Sequence, residues 1–475
     1  MRTGTRSLFE DEEDAGPAPA PVPKADPAPA PGRKVLIDRD YQTDATDRIF
    51  DEWRAVRTPE PDQPAKPPST LVIMATGTGK TVVATRVAQR VLKGEVGPGG
   101  FLFFAHRDEL VTQARDTFRA ALVGARVEVE KGEDYASDRA DVVVASVQTL
   151  SQPRRLERFK SDRFAAWCMD EAHHGVKSNA TYTVIRERFP AARGLGLTAT
   201  PDRSDEVALG EVFDSVAFSF DILDATNEGW LVPVGQRLER CEGLDYSGIR
   251  LDRDGDFHEG DMAEVMKKRE PLFGLCDAAI KYSNFAGTTK NRCRPTLVFA
   301  ASKEHAELVA EILNAKDAKD GTGRAACLHF KLKPKERKSI VDAYKAGEIR
   351  YLTNFGILGE GFDDDNTRVI VNGRPTRSRA LFAQMFGRAT RPLREILPLL
   401  AACKTAEARR AVIKASRKPG ALMVDMMGVN HKLVLTMADI LGGRSSDEVI
   451  QLVRDRVARS EVPVDVEEEI KRAER

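Results

Sequence analysis

The feature that most constrains this chain is the stretch Leu71 to Thr81, reading Leu-Val-Ile-Met-Ala-Thr-Gly-Thr-Gly-Lys-Thr. Leu71 to Met74 reads as the end of a buried strand. A loop with Gly77 and Gly79 follows, and Lys80-Thr81 opens an apolar-periodic helix through Val82, Val83, Val87 and Val91. A strand, a glycine-bearing loop and a helix start, in that order, form a cradle for phosphate oxygens. The glycines let backbone N–H groups turn inward, and the helix start adds the positive end of its dipole. Thr76, Gly77, Thr78, Gly79, Lys80 and Thr81 are therefore the expected phosphate contacts. The Lys80 ammonium is expected on the β- and γ-phosphates and the Thr81 hydroxyl on Mg²⁺. One position departs from G-x-x-x-x-G-K-[ST]: Met74 stands where the first glycine would be. This stretch alone specifies a nucleoside triphosphate and nothing finer.

Composition allows two or three domains, since 475 residues carry 41% apolar and 31% charged side chains, a soluble globular mix. Lys+Arg and Asp+Glu are equal at 73 each, so any nucleic-acid surface must be local. The six cysteines form no C-x-x-C pair and no metal-ligand spacing, which predicts reduced thiols and no zinc site. No apolar run approaches the roughly 18–20 residues of a membrane span, and the N-terminus lacks an apolar signal core. The expected location is cytoplasmic, nucleoid-associated if the source is bacterial or viral.

Along the chain, residues 1–33 form a Pro/Ala-rich tail with an acidic cluster at 10–14, expected to be disordered and extended. It reads as a spacer or as a docking peptide. Apolar strands then alternate with amphipathic helices, at 101–105, 142–145, 167–170 and 194–198. A second set follows at 296–300, 325–329, 351–353 and 368–371. The alternation predicts an α/β fold with mostly parallel sheets covered by helices. The expected domains are 34–232, 233–430 and a helical extension, 431–475, with 225–240 as a connection. The part after Pro392 reads as a smaller, mainly helical region with one strand at 422–426.

Asp170-Glu171-Ala172-His173 ends the apolar segment 165–169, at the carboxyl end of a strand, where α/β sheets bind ligands. Two adjacent carboxylates there have separable duties in phosphoryl transfer. Asp170 holds Mg²⁺ through water and Glu171 polarises the attacking water. One βα unit later, Thr198-Ala199-Thr200 offers two hydroxyls that can bridge His173 and the phosphate site. Arg388 and Arg391, three apart, are predicted to share a helix face, and planar, always-charged guanidinium groups suit transition-state charge.

In this order the motifs resemble a superfamily-2 helicase of the DEAH type, over residues 35–430. The texture is similar to XPB-like helicases and type I restriction motor subunits. The resemblance implies two tandem RecA-like domains with ATP hydrolysed in the cleft between them, stepping the protein along nucleic acid. Arg39-Asp40-Tyr41-Gln42 resembles the adenine-reading motif, with Gln42 on the base. Gly361 and Asp363, in Gly359-Glu360-Gly361-Phe362-Asp363, are implied nucleotide contacts. Gln384, Arg388 and Arg391, in Gln-Met-Phe-Gly-Arg-Ala-Thr-Arg, are implied catalytic residues, and His173, Thr198 and Thr200 coupling residues. Arg107, Thr149 and Asn354 are implied nucleic-acid contacts. Gly359 stands where a hydroxyl residue is common, so that contact is expected to be missing. The residues before 35 leave no room for a nuclease domain, so nuclease activity is not expected.

Charge is uneven within the neutral whole. Residues 371–420 hold twelve Lys+Arg and two acidic residues, an excess of +10, and such an excess attracts a phosphate backbone. For Arg409 to Lys418 a solvated helical face is an equal reading, and no aromatics interleave there. The expected partner is DNA, single-stranded or duplex, ahead of RNA, with no membrane; a protein that loads the motor is left open. Within the motor class, strand unwinding and double-strand translocation stay unseparated. A binding module with a dead ATPase is the rival outside it, and Lys80, Asp170, Glu171 and Arg388 argue against that.

Overall fold

The computed structural model describes residues 39–55, 67–106, 108–173, 179–199, 209–210, 212–253, 255–284, 294–317, 324–356, 364–428, 434–442 and 445–475. The tail, Arg107, Thr200, Gly361 and Asp363 lie outside them. Two compact units meet in the chain between Ile222 and Leu223.

The first unit is a seven-stranded sheet in the order β3-β4-β2-β5-β6-β1-β7. Its strands are β1 (Ser69–Met74), β2 (Gly100–Ala105), β3 (Val127–Glu130), β4 (Val142–Ser146), β5 (Phe164–Met169), β6 (Arg193–Thr198) and β7 (Ser215–Phe220). All pairings are parallel. β2, β4 and β5 are buried along their whole length, so they read as unbroken apolar runs rather than alternating ones. Helix α1 (Asp40–Arg54) turns Tyr41, Ala45, Ile49, Phe50 and Trp53 inward, a 3.6-residue stripe. The Trp53 indole N–H donates to the Gly194 carbonyl at 3.0 Å. Helix α2 (Lys80–Leu92) follows β1.

The second sheet runs β10-β11-β9-β12-β13-β8-β14. Its strands are β8 (Val234–Arg240), β9 (Thr296–Ala300), β10 (Ala325–His329), β11 (Tyr351–Phe355), β12 (Val369–Gly373), β13 (Ala421–Met427) and β14 (Val464–Asp465). All pairs are parallel except β14 with β8. Two expectations are corrected here. Residues 234–240 are not linker but a strand between β13 and β14. The strand at 421–427 is not in a third region; it lies between β12 and β8, so the chain beyond Pro392 completes the second sheet. Residues 234–240 were obscured by polar residues that the sheet satisfies internally. Gln236 Nε2 donates to Asp425 Oδ2 at 2.7 Å, and Asn372 Nδ2 to Asp425 Oδ1 at 2.8 Å. Burial pushes the Asp425 carboxyl up to about 6. The last helices, Asp447–Arg459 and Val466–Ala473, flank β14 in sequence. No described helix is long and apolar enough to cross a membrane.

Candidate nucleotide site and nucleic-acid-facing elements

The loop between β1 and α2 has the backbone its glycines predict. Gly77 and Gly79 sit at φ +89° and +91°, a region that costs other residues about 1 kcal/mol or more. A Cβ on Gly79 would stand 2.5 Å from Gln42 Nε2, so a larger residue here would push the Gln42 amide out of place as well as strain the backbone. Gln42 Nε2 donates to the Thr78 carbonyl at 2.8 Å, as does the Tyr41 hydroxyl, also at 2.8 Å. The Tyr41 ring stacks on Phe220 at 4.4 Å, and Arg39 Nη1 donates to the Tyr41 oxygen at 2.8 Å. Gln42 is 1% exposed, and its Oε1 has no hydrogen-bond partner among the described residues. A buried acceptor left open is costly unless a ligand fills it. It fits a base that offers an amino group.

Met74 is harmless in the place of the missing glycine. Its side chain is fully buried, and only its carbonyl faces the loop, accepting from Lys80 Nζ at 3.4 Å. Lys80 Nζ also stands 3.7 Å from Glu171 Oε1. Glu171 Oε2 lies 3.5 Å from His173 Nδ1, which stands 3.1 Å from the Thr198 hydroxyl. The ends of β1, β5 and β6 thus bring Lys80, Glu171, His173 and Thr198 into one chain of contacts. Glu171 has φ +48°, the only positive value at a non-glycine among the described residues. Its N–H donates to Asp170 Oδ1 at 3.1 Å, and the next N–H, of Ala172, to the Leu197 carbonyl at 2.8 Å. Those bonds hold a sparsely populated conformation, of the kind that concentrates at working sites. Asp170 and Thr81 offer hard oxygen donors suited to Mg²⁺, which takes few protein ligands and completes its shell with phosphate oxygens and water. No cluster of three or more His, Cys, Asp or Glu able to hold a metal occurs among the described residues.

In the second unit the helix Arg379–Phe386, capped by the Ser378 hydroxyl, carries Gln384 in a buried position. The expectation of one helical face for Arg388 and Arg391 is corrected. The helix ends at Phe386, and bonds from Arg388 N to Met385 O (3.3 Å) and Ala389 N to Phe386 O (2.9 Å) tighten the chain into a turn. Pro392 then disfavours helix at Arg391. Arg388 projects from that turn and is buried at 4% exposure.

Two expected nucleic-acid contacts are buried in local structure instead. Thr149 Oγ1 accepts from Gly132 N at 3.0 Å and from the Ser146 hydroxyl at 2.9 Å. This pins a turn already braced by Arg155, which bonds Glu130 and the carbonyls of Gly132 and Asp134. Asn354 lies within β11, and its Nδ2 donates to the Val298 carbonyl at 3.0 Å. Buried polar groups engaged in this way serve the sheet rather than a surface ligand.

The basic stretch is corrected in the same sense. Arg409 is buried, with Nε on the Glu228 carbonyl at 2.6 Å, Nη2 on the Glu228 carboxylate at 2.9 Å and its guanidinium 4.6 Å over the Trp230 ring. Lys418 is fully buried and donates to the carbonyls of Asp365 at 2.7 Å and Arg391 at 2.8 Å. Arg417 pairs with Glu395 at 2.7 Å. What remains for a phosphate backbone is a fraction of the excess counted in the sequence.

Residues 36–203 match the family described as type III restriction enzyme, res subunit, and residues 276–392 match the helicase conserved C-terminal domain. The chain belongs to helicase superfamily 2. A relative is IRC3 of Saccharomyces cerevisiae, whose name carries the words ATP-dependent helicase. It is 30% identical over 364 residues, covering 74% of this chain and 49% of the relative. XPB2 of Sulfurisphaera tokodaii, named a DNA 3'-5' translocase, is 22% identical over 378 residues, 74% of this chain and 78% of the relative. Among solved structures, a fragment described as an HsdR subunit of a type I restriction enzyme from Vibrio vulnificus YJ016 has a TM-score of 0.58 at 22% identity. It covers 84% of this chain and 65% of that one, a likeness of fold. This superfamily-2 chain spans about half the length of the first curated relatives it matches.

Proposed function

We propose that the protein is an ATP hydrolase whose turnover depends on nucleic acid and drives movement along DNA. The observation that carries this is the contact chain Lys80–Glu171–His173–Thr198, built from three strand ends beside a glycine-shaped phosphate loop. In the proposed cycle Lys80 and the loop amides neutralise the phosphates. Glu171 orients the water and takes its proton, and Arg388 and Arg391 add charge to the transferring phosphoryl group from the second unit. Asp170 and Thr81 would hold Mg²⁺, which neutralises phosphate charge. His173 and Thr198 relay the state of Glu171 to β6. The inter-domain cleft is the proposed seat of hydrolysis, and a DEAH-type motor acting in the cytoplasm, or on nucleoid DNA in a bacterial or viral setting, is part of the same reading.

DNA is preferred over RNA because one relative is named a DNA translocase. The same naming favours a second reading, translocation on duplex DNA without strand separation. The test is the phosphate-release rate with single-stranded DNA, duplex DNA, forked DNA and RNA in turn, with strand-displacement and triplex-displacement assays beside it. Strong stimulation by DNA that Lys80→Ala abolishes is expected. A rate indifferent to every nucleic acid would overturn the reading.

A further inference from the structure

Asn354, the expected contact in the second unit, is buried within its sheet, and one edge of that sheet has chemistry suited to nucleic acid. Phe330 follows β10 directly and is 55% exposed. Its ring lies 6.5 Å from that of Phe355, the last residue of β11. It also sits over Gly356, where a Cβ would meet the Phe330 ring at 3.8 Å. Arg374, directly after β12, stands 5.7 Å over the Phe355 ring. All three side chains therefore gather at the carboxyl ends of parallel strands.

The chain after Phe330 is basic. Residues 330–338 hold Lys331, Lys333, Lys335, Arg337 and Lys338 against Glu336 alone, 5 − 1 = +4. Lys331, Lys333 and Lys335 are exposed and enter no ion pair among the described residues. Lys331 Nζ lies 6.0 Å from the Phe330 ring. The turn is capped: Lys333 N donates to the Glu336 carboxylate at 3.1 Å at the start of the helix Pro334–Lys345. A single exposed phenylalanine needs no explanation. A pair of rings at a strand edge, ringed by cations held on a capped turn, combines the two elements that single-strand binders use, aromatic faces and a positive track.

We propose that Phe330 and Phe355 form a platform for unpaired nucleobases, with Lys331, Lys333, Lys335 and Arg374 beside it on the phosphate backbone. This rests on the proposed function and deepens it: the strand the motor holds is single, because inside a duplex the neighbouring pairs already cover both faces of each base. An acidic protein segment is the competing occupant that the charges alone would allow.

The test measures affinity for a single-stranded oligonucleotide and for the same sequence as duplex, over a range of salt. Phe330→Ala should weaken single-strand binding roughly 5- to 100-fold, the worth of one stacked base, and leave duplex binding much less affected. Phe330→Trp should restore it, and its fluorescence should be quenched by the single strand. Lys333→Ala with Lys335→Ala should lower the single-strand salt slope by about 0.7 per lost contact. Equal losses on both substrates, or none, would overturn the platform. Binding of polyglutamate in place of nucleic acid at this edge would also overturn it. A parent protein stimulated by DNA but insensitive to Phe330→Ala defeats the platform alone. A parent protein that binds no nucleic acid defeats the proposed function and the platform together.

Discussion

Gln42 shows how much one amide can specify. Its nitrogen is committed to the Thr78 carbonyl, which turns its buried oxygen into an acceptor with no partner among the described residues. Adenine offers an amino donor to such an atom, whereas guanine offers a carbonyl in the same place and would leave two acceptors facing. A site built to bond a group rejects an analogue that lacks it, since its own buried atom is then left unpaired. Gln42→Ala is therefore expected to erode the preference for ATP over GTP by roughly 5- to 100-fold. Gly79→Ala should act in the same direction, because its Cβ would displace Gln42 Nε2. Titration of a fluorescent analogue of each nucleotide measures both. Equal affinity of the parent protein for ATP and GTP would remove Gln42 from base recognition.

At the scale of elements, what the sequence made legible followed burial. β2, β4, β5 and β9 are largely apolar runs because both faces of the sheet are buried there, and such runs are visible without any partner in view. β8 was not visible: Val-Gly-Gln-Arg-Leu-Glu-Arg has polar residues that make sense only beside Asp425 and Tyr282, which receive Gln236 and Arg237. The phosphate loop and the Asp-Glu-Ala-His turn were legible because their chemistry is local. Arg409 and Lys418 were expected at the surface, and both are buried, because charge in a sequence does not say whether a carbonyl is waiting inside. Lys418 makes that point testable. Burial pulls its ammonium down to about 7, against about 10.4 in an unfolded chain. Asp364 and Asp365 oppose that fall, while Arg368 and Arg391 assist it. The unfolded chain holds this proton more tightly, so between pH about 7 and 10 unfolding takes one up. Stability from this group is flat below that window and rises with pH across it. From pH 7 to 9 the parent protein should gain on the order of 1–3 kcal/mol relative to Lys418→Met, read from urea midpoints. Parallel courses in the two proteins would mean that the amine is solvated.

At the scale of the whole molecule, the proposed cycle draws on residues of both units. Lys80 and Glu171 belong to the first, Arg388 and Arg391 to the second. The segment that leads into the second unit is gripped firmly. Arg409 holds Glu228, Arg410 Nη1 donates to the Asn227 carbonyl at 2.7 Å, and Lys471 Nζ to the Asn227 side chain at 2.7 Å. Val232 N donates to the Thr390 carbonyl at 2.7 Å, so the turn that carries Arg388 is tied to the chain entering its unit. In the proposed cycle, a displacement of Arg388 would carry that segment with it. Two variants should separate water activation from this movement. Glu171→Gln removes the base and keeps every cation, so ATP should bind and draw the units together, with turnover down about 10²- to 10⁴-fold. Arg388→Ala should also stop turnover, since a charge supplied to the transferring phosphoryl group is worth on the order of 10³–10⁵ in rate. It should do so with ATP bound by Lys80 and no lasting approach of the units. A fluorophore on each unit reads the distance after ATP is added. If both variants close alike, Arg388 does not engage the nucleotide held by Lys80, and the first unit alone would have to carry the chemistry.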